Sequence, residues 1–357
     1  MKVRLVNVDI FEVLADIEQQ YSSRAHADDS VRARFNTSFH TEREAPHLPT
    51  RPSEKPYSFK RWLPLILRTR GLALEDSQVV TFSRQHAQLL LQVANASILS
   101  GSINRIYREE IDEEIVPAFE SLTFPPEGLF MRLDACSAKD GVQKRPGMPA
   151  VPGTSALHSV NEILLLLLTS CRARNALFGT LEGDAEVFEL FFTPWNARMR
   201  GDREYRVFCP PFRPADSLRI SAISQYRWHR EWLFFAPGER RNQAVEKIVE
   251  GIDGITKQIA AELDAEDEMD DLLMRQGLTF DVFFDEERGL VQLVELNVFG
   301  ARSACGSCLF HWIRDRETLE GHGEPEDVEF RVTYQEPSSS SPSEDDEDDD
   351  EDDDEGE

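Results

Sequence analysis

The sequence has no long apolar run. Its longest, Ile163 to Leu168, is six residues, against the ~20 that a bilayer-spanning helix needs, and it reads as a buried core helix. The first ten residues carry Lys2, Arg4 and Asp9 and lack the apolar stretch of a secretory signal. Cysteine is scarce, five in 357 residues, which excludes a disulfide framework and makes a reducing compartment, cytoplasm or nucleus, the default, with the cytoplasm the expected location. Positive charge is in deficit: 39 Lys and Arg face 66 Asp and Glu, a formal charge of −27. Residues 344–357 hold thirteen of those acids and no base; without them 53 acids still face 39 bases. An acidic body disfavours a general binder of nucleic acid or anionic membrane, because contact with phosphates needs clustered positive charge. Also missing are a Gly-rich phosphate loop, a Gly-x-Ser-x-Gly sequence and a His-rich metal motif. Cys305-Gly-Ser-Cys308 is a lone pair: zinc needs two more ligands, and a redox site needs a strand-to-helix setting, so it reads as two buried helical cysteines. Trp228 and Trp232, interleaved with Arg227, His229 and Arg230, read as helix packing or an interface rather than as base-stacking residues.

What is present suits a soluble globular chain of ample core, with 40% hydrophobic and 29% charged residues. Residues 1–22 look orderable, with an apolar-rich Val3–Ile10. Residues 23–56, polar and broken by Pro46, Pro49, Pro52 and Pro56, read as a linker or disordered arm. The expected organisation is an extension over 1–56, a main domain over 57–335 and a disordered acidic tail over 336–357. Within the main domain the patterns predict helices over 85–99, 106–121, 160–171 (Asn161 as its cap) and 243–263. They predict strands over 79–82, 129–134, 186–192, 204–209, 218–224, 278–284, 290–298 and 326–333, and a Gly/Pro-rich loop over 140–154. The irregular alternation with several hairpins indicates an α+β class.

Thr279 to Gly300 is the most informative stretch. Glu287-Arg288-Gly289 suits a three-residue hairpin loop with Gly289 in the left-handed region. That register puts Asp281 opposite Glu295, with Asn297 on the same face. It places Phe280, Val282, Phe284, Val294 and Leu296 on the opposite face, and Phe283, Val291 and Leu293 beside the polar trio. Two facing carboxylates repel and need a cation or a shared proton. Two readings stay open: hard oxygen ligands for Mg²⁺, which prefers such donors together with substrate phosphates, or acids held by an arginine partner or exposed at a sheet edge.

Other charged residues stand on apolar strands or at loops. Arg132 lies between Met131 and Leu133; Arg206 shares a face with Glu204 and reads either as the partner of Glu204 or Asp281 or as a phosphate clamp. Lys139 precedes the Gly/Pro-rich loop, as a lid cation or a solvated charge. Glu189, on the strand Leu190-Phe191-Phe192, reads as an acceptor for ribose hydroxyls or as a surface acid.

Phe280-Asp281-Val282 followed by Val294-Glu295-Leu296-Asn297-Val298-Phe299-Gly300 resembles the closing motif of the cell division cycle protein 123 family, in which Asp-Phe-Asn-Pro-Phe-Gly follows a Phe-Asp-Ile/Val strand. Here Glu295 replaces an Asp and Val298 a Pro. Further segments resemble the family in the same order: Phe130 to Asp140, Ile163 to Ser170, Glu189 to Trp195, Glu204-Tyr-Arg206-Val-Phe208 and Ile223-Ser-Gln225. The coverage is roughly residues 57–333. Arg132 stands where the family has a phosphate-contacting Lys, Ala135 where it has a Trp, and Thr193-Pro194 where it has Arg-Lys.

The resemblance implies an ATP-grasp-like two-lobed fold with antiparallel sheets and flanking helices, and ATP with Mg²⁺ as cofactors. Asp281, Glu295 and Asn297 would hold the metal, and Arg132, Lys139, Glu189 and Arg206 the nucleotide. It further implies an assembly chaperone that binds the gamma subunit of eukaryotic translation initiation factor 2, with consequences for translation initiation and the cell cycle, rather than a catalyst. No direct nucleic-acid or membrane partner is expected. The alternatives are an ATP-dependent carboxylate ligase or phosphotransferase, and a scaffold that no longer binds nucleotide.

Overall fold

The computed structural model describes residues 2–25, 33–46, 48, 51–143, 151–152, 156–183, 185–214, 216–322 and 327–335. The acidic tail and much of the 140–154 loop lie outside them. Strands in chain order are β1 (Lys2–Asp9), β2 (Gln78–Ser83), β3 (Leu129–Leu133), β4 (Val142–Gln143), β5 (Val151–Pro152), β6 (Val187–Pro194), β7 (Glu204–Cys209), β8 (Ala222–Gln225), β9 (Leu278–Asp285), β10 (Leu290–Val298) and β11 (Asp327–Tyr334). Helices are α1 (Ile10–Ala25), α2 (Phe59–Thr69), α3 (Arg84–Ser97), the single turn α4 (Arg108–Glu110), α5 (Val160–Thr169), α6 (Cys171–Glu182), α7 (Glu239–Glu262), α8 (Glu268–Gln276) and the single turn α9 (Arg316–Leu319).

Six strands form a mixed sheet in the order β1-β11-β8-β7-β9-β10, in which β1, β11 and β8 run parallel and the remaining pairs antiparallel. A separate antiparallel sheet has the order β2-β6-β3, and β4 pairs with β5. The chain is therefore α+β. Among the described residues no helix is long and apolar enough to cross a membrane.

Each sheet has its own core. On the large sheet, alternate residues Val207, Ile223, Phe280, Val282, Phe284, Leu296 and Phe330 meet α2 and α7, whose Ile248, Ile252, Ile255 and Ile259 recur at helical spacing. The small sheet packs Val80, Phe82, Met131, Leu190 and Phe192 on α3, α5 and α6. Phe191, on the opposite face of β6, joins the first core and meets Phe59 edge-on at 5.8 Å between ring centroids. Serines begin four of these helices: Ser58, Ser83, Ser159 and Ser170 each accept from a backbone N–H in the first turn. The cap of α5 is therefore Ser159, not Asn161, because only the residue before the first helical turn presents its side chain to those donors.

Several expected elements differ. The 106–121 segment is not one α-helix; it passes through 3-10, α, π and again 3-10 turns. Pro117, which supplies no N–H, stands where the last change occurs. The predicted 218–224 strand narrows to β8, and α6 and α8 were not signalled. Residues 33–46 are no free arm: Phe35 and Ala45 are buried, and Asn36, Phe39 and His40 donate backbone hydrogen bonds to Cys308, Ser303 and Ala301. Since β1 pairs with β11 over its whole length, residues before 57 build part of the same sheet, and the body does not begin at 57. Cys305 and Cys308 lie in irregular chain and a turn rather than on a helix, as do Trp232 and Trp228.

Candidate functional site

The sequence places Asp281 opposite Glu295, and the structure does so too, by a different route. The hairpin closes at Asp285–Leu290 over a four-residue loop, with Gly289 at φ +64°. From there to Leu293–Val282 the pairing is offset by one residue from that expected for a three-residue loop. A bulge at Val294 then restores the register, so that Glu295 faces Asp281. Below the bulge, faces are exchanged relative to expectation. Val291 and Leu293 pack into the core with Phe280 and Val282, and Gln292 takes their place on the polar face. Arg70, at the end of α2, spans the irregularity by donating to the Leu293 carbonyl at 3.3 and 3.4 Å, and Thr69 Oγ1 accepts from Leu293 N at 3.0 Å.

The arginine reading of the facing acids is realised twice. Arg206, across the β7–β9 ladder from Asp281, grips both its oxygens, Nε to Oδ1 at 2.8 Å and Nη2 to Oδ2 at 2.7 Å. Arg132, projecting from β3 of the small sheet, forms an ion pair with Glu295 of the large one. Asn297 Nδ2 donates to Glu295 Oε1 at 3.3 Å. Tyr226, following β8, lies between two cations. Arg206 stacks 5.1 Å from its ring centroid, and Lys139 Nζ donates to its hydroxyl at 3.0 Å. Arg206 also donates to the Gly306 carbonyl at 2.6 Å.

Thus Asp281, Glu295, Asn297, Arg132, Arg206 and Lys139 meet where the two sheets meet. Among the described residues no contact links Glu189 to these six; Lys60 Nζ holds its two oxygens at 2.9 and 2.7 Å. Sequence reasoning missed Tyr226 and Arg70. The position of Tyr226 directly after Ile-Ser-Gln was a signal for the first. Nothing in the sequence marked the second.

Electrostatics follow from burial among unequal charges. Burial pushes Asp281 up, against Arg206, while burial of Glu295 is outweighed by Arg132, Asp281 and Arg206 acting together, which hold it below the usual carboxylate range; the two carboxyl groups are close enough to hydrogen-bond. Glu204, on the same face of β7, is pushed up to about 7 by burial and by Asp281 and Glu295, with Lys139 and Arg227 opposing. Burial works against the charge of Arg206, but Asp281 prevails and holds its proton more firmly than usual. Burial, then Arg132, lowers Arg70 to about 10. Lys139 is lowered by the loss of water around its ammonium and by Arg172, even though the residue reaches the surface.

Four cations (Arg70, Arg132, Lys139, Arg206) thus surround three carboxyl groups, two of which have raised pKa values. Arg132 Nε and Thr193 Oγ1, both on the face of the small sheet turned towards the site, are buried without a hydrogen-bond partner. Buried polar groups are seldom left unpaired, and an excess of positive charge with free donors suits an anion. Among the described residues no three His, Cys, Asp or Glu side chains form a metal-holding group. The available donors are two carboxylates and one amide, a hard oxygen set that fits Mg²⁺ only if other ligands, such as phosphate oxygens, complete the shell. The residues fit a metal-bound polyphosphate better than a bare metal ion.

Comparison with protein-family models finds no match, and none is found among curated proteins. Similar solved structures include two of one protein. One is Cdc123 from Schizosaccharomyces pombe, at 18% identity and a TM-score of 0.48, covering 83% of this chain and 99% of that one. The other is a C-terminally truncated form of the same protein, at 18% identity and a TM-score of 0.46, covering 77% and 95%.

Proposed function

We propose that this chain binds ATP with Mg²⁺ between the two sheets and acts as a nucleotide-dependent assembly chaperone. The observation that carries the nucleotide reading is the cluster of Arg132, Arg206 and Lys139 around the facing acids Asp281 and Glu295. Two buried donors there still lack acceptors. Asp281, Glu295 and Asn297 would hold Mg²⁺, which when bound would neutralise phosphate charge. Arg132 and Arg206, now on carboxylates, would turn to phosphate oxygens, a task for which a forked guanidinium is suited.

The ordered motif resemblance extends the reading to the partner, the gamma subunit of eukaryotic translation initiation factor 2, and to a cytoplasmic place of action. Titration calorimetry tests the nucleotide part. Wild type should bind ATP only with Mg²⁺, and Asp281→Ala and Asn297→Ala should lose the metal dependence. Absence of binding by wild type would sink it. Capture of the purified gamma subunit by wild type tests the partner; equal retention by an unrelated acidic protein would refute that step.

A second reading is favoured by one observation: both acids are already neutralised by arginines, Arg206 on two hydrogen bonds. A scaffold that needs no nucleotide would keep this arrangement as a structural network. It predicts no ATP binding, with partner capture unchanged.

A further inference from the structure

The sheet topology collects unpaired arginines at the edge where the described chain ends. β11 and β8 are parallel, so the end of β11 at Tyr334 lies beside the end of β8, from which Tyr226 and Arg227 continue. β7 is antiparallel to β8, which puts its start, and Arg203 just before it, at the same edge. The link is direct: Thr333 Oγ1 donates to the Arg230 carbonyl, and Trp232 N donates to the Thr333 carbonyl at 3.4 Å. Arg227 lies against the 201–203 turn, since a Cβ on Gly201 would sit 2.7 Å from Arg227 Nε.

The acids of this edge have partners of their own. Arg198 takes Asp285 and Glu287, Arg200 takes Asp202, and Arg240 takes Glu286. Arg203, Arg227 and Arg230 have no ion-pair partner among the described residues; Arg203 and Arg227 are half-buried and Arg230 is exposed. Two acids without an ion pair stand beside them: Glu231, exposed, and Glu204, which burial and its acidic neighbours push towards the neutral form. The site lies inward from this edge: Arg206 and Asp281 are paired two residues further along the β7–β9 ladder from Glu204 and Phe283, about 7 Å at ~3.3 Å per residue.

In a chain this acidic, a cluster of free arginines calls for a polyanion, and the sequence supplies one next to it. Twenty-two residues follow Gln335. The first eight are Glu336-Pro337, then serines and Pro342, and the last fourteen hold thirteen acids. Sheet strands are about 4.8 Å apart, so Arg203, two strands from β11, lies roughly 10 Å across the edge. A spacer of eight residues reaches up to about 28 Å. We propose that residues 344–357 dock on the edge formed by Arg203, Arg227 and Arg230. The tail would thereby compete with polyphosphate ligands. Docking does not depend on the nucleotide reading; the competition does.

The test compares the full chain with a chain of equal length in which the thirteen tail acids are replaced by Asn and Gln. Hydrogen exchange without nucleotide reads docking. Residues 198–203 and 226–230 should exchange more slowly in the natural chain at low salt, and the difference should vanish in 1 M NaCl, where the Debye length is about 3 Å. Identical exchange at low salt would overturn the proposal. Inorganic tripolyphosphate then reads the competition: the neutralised-tail chain should bind it about tenfold more tightly at low ionic strength, with the gap closing in salt. Equal affinity at low salt would refute the competition. Tail-dependent protection with no tripolyphosphate or MgATP binding by either chain would leave docking standing and remove the nucleotide reading instead.

Discussion

Arg132 of the small sheet and Glu295 of the large sheet form an ion pair that ties the two cores together. Arg132 is also packed, its guanidinium 4.8 Å from the centre of the Phe59 ring. Removing one member leaves the other buried and uncompensated, so Arg132→Ala should destabilise by about 3 kcal/mol. Arg132→Ala with Glu295→Gln should recover part of that loss, because the orphaned charge goes too. Urea unfolding of both variants checks it; a double variant no more stable than Arg132→Ala would place the cost in packing on Phe59 instead.

Glu204 makes stability fall as pH rises. Its folded pKa, raised to about 7 mainly by burial, exceeds that of the unfolded chain. The native state therefore holds more protons between the two values, and unfolding free energy declines with pH across that window. The stabilisation relative to alkaline pH is complete below about pH 4.5 and gone above about pH 7. Glu204→Gln should flatten the slope between pH 5 and pH 7.5 and add roughly 1–2 kcal/mol at the upper end. Unfolding free energies measured at the two pH values in wild type and variant give the answer, and an unchanged slope would refute it.

Two glycines of α7 should respond oppositely to alanine. A Cβ on Gly251 would stand 2.2 Å from Cγ2 of Val291, whereas one on Gly254 meets nothing within 4 Å. Both variants gain about 1 kcal/mol of helix propensity. At Gly251 the clash with a stiff β-branched side chain costs about 1–3 kcal/mol and outweighs it. Thermal denaturation should show Gly254→Ala melting above wild type and Gly251→Ala below.

The five cysteines are all free and should separate into classes towards a thiol reagent. Cys171 is exposed and should react first. Cys209, Cys305 and Cys308 are buried, and burial pushes Cys305 up to about 11 and Cys308 up to about 12, which suppresses the reactive thiolate. They should titrate only after unfolding. Early reaction at Cys305 or Cys308, located by peptide mapping, would show that the 299–313 segment opens readily.

Much of this was legible where a pattern is short-range. That Asp281 and Glu295 lie on facing strands follows from two runs of alternating residues with a turn between them, but their exact pairing depends on the bulge at Val294. The cores of β2, β3, β6, β7, β9 and α3 follow from period, whereas period puts Val291 and Leu293 of β10 on the wrong face. Other features depend on contacts distant in sequence. The arginine partners of the acids come from β3 and β7, and no local rule selects Arg132 for Glu295. Residues 33–46 read as an arm because they are polar and near prolines, yet they are ordered by backbone hydrogen bonds to residues 301–308, which composition does not reveal. The bulge was invisible because the inserted residue is a valine, as suited to a regular strand as its neighbours.

The bulge at Val294 separates the hairpin into two independently phased halves. Loop length normally sets which side chains face which way along the whole of a hairpin. Here the turn dictates orientation only as far as Leu293, and beyond it the strand is reset, with Arg70 and Thr69 fastening the joint. The acids consequently take their alignment from the β7–β9 side of the sheet and not from the tip. The tip is then free to change in length or composition, provided that the joint is kept. Deleting Val294 should disturb the acids more than deleting Glu287 from the loop.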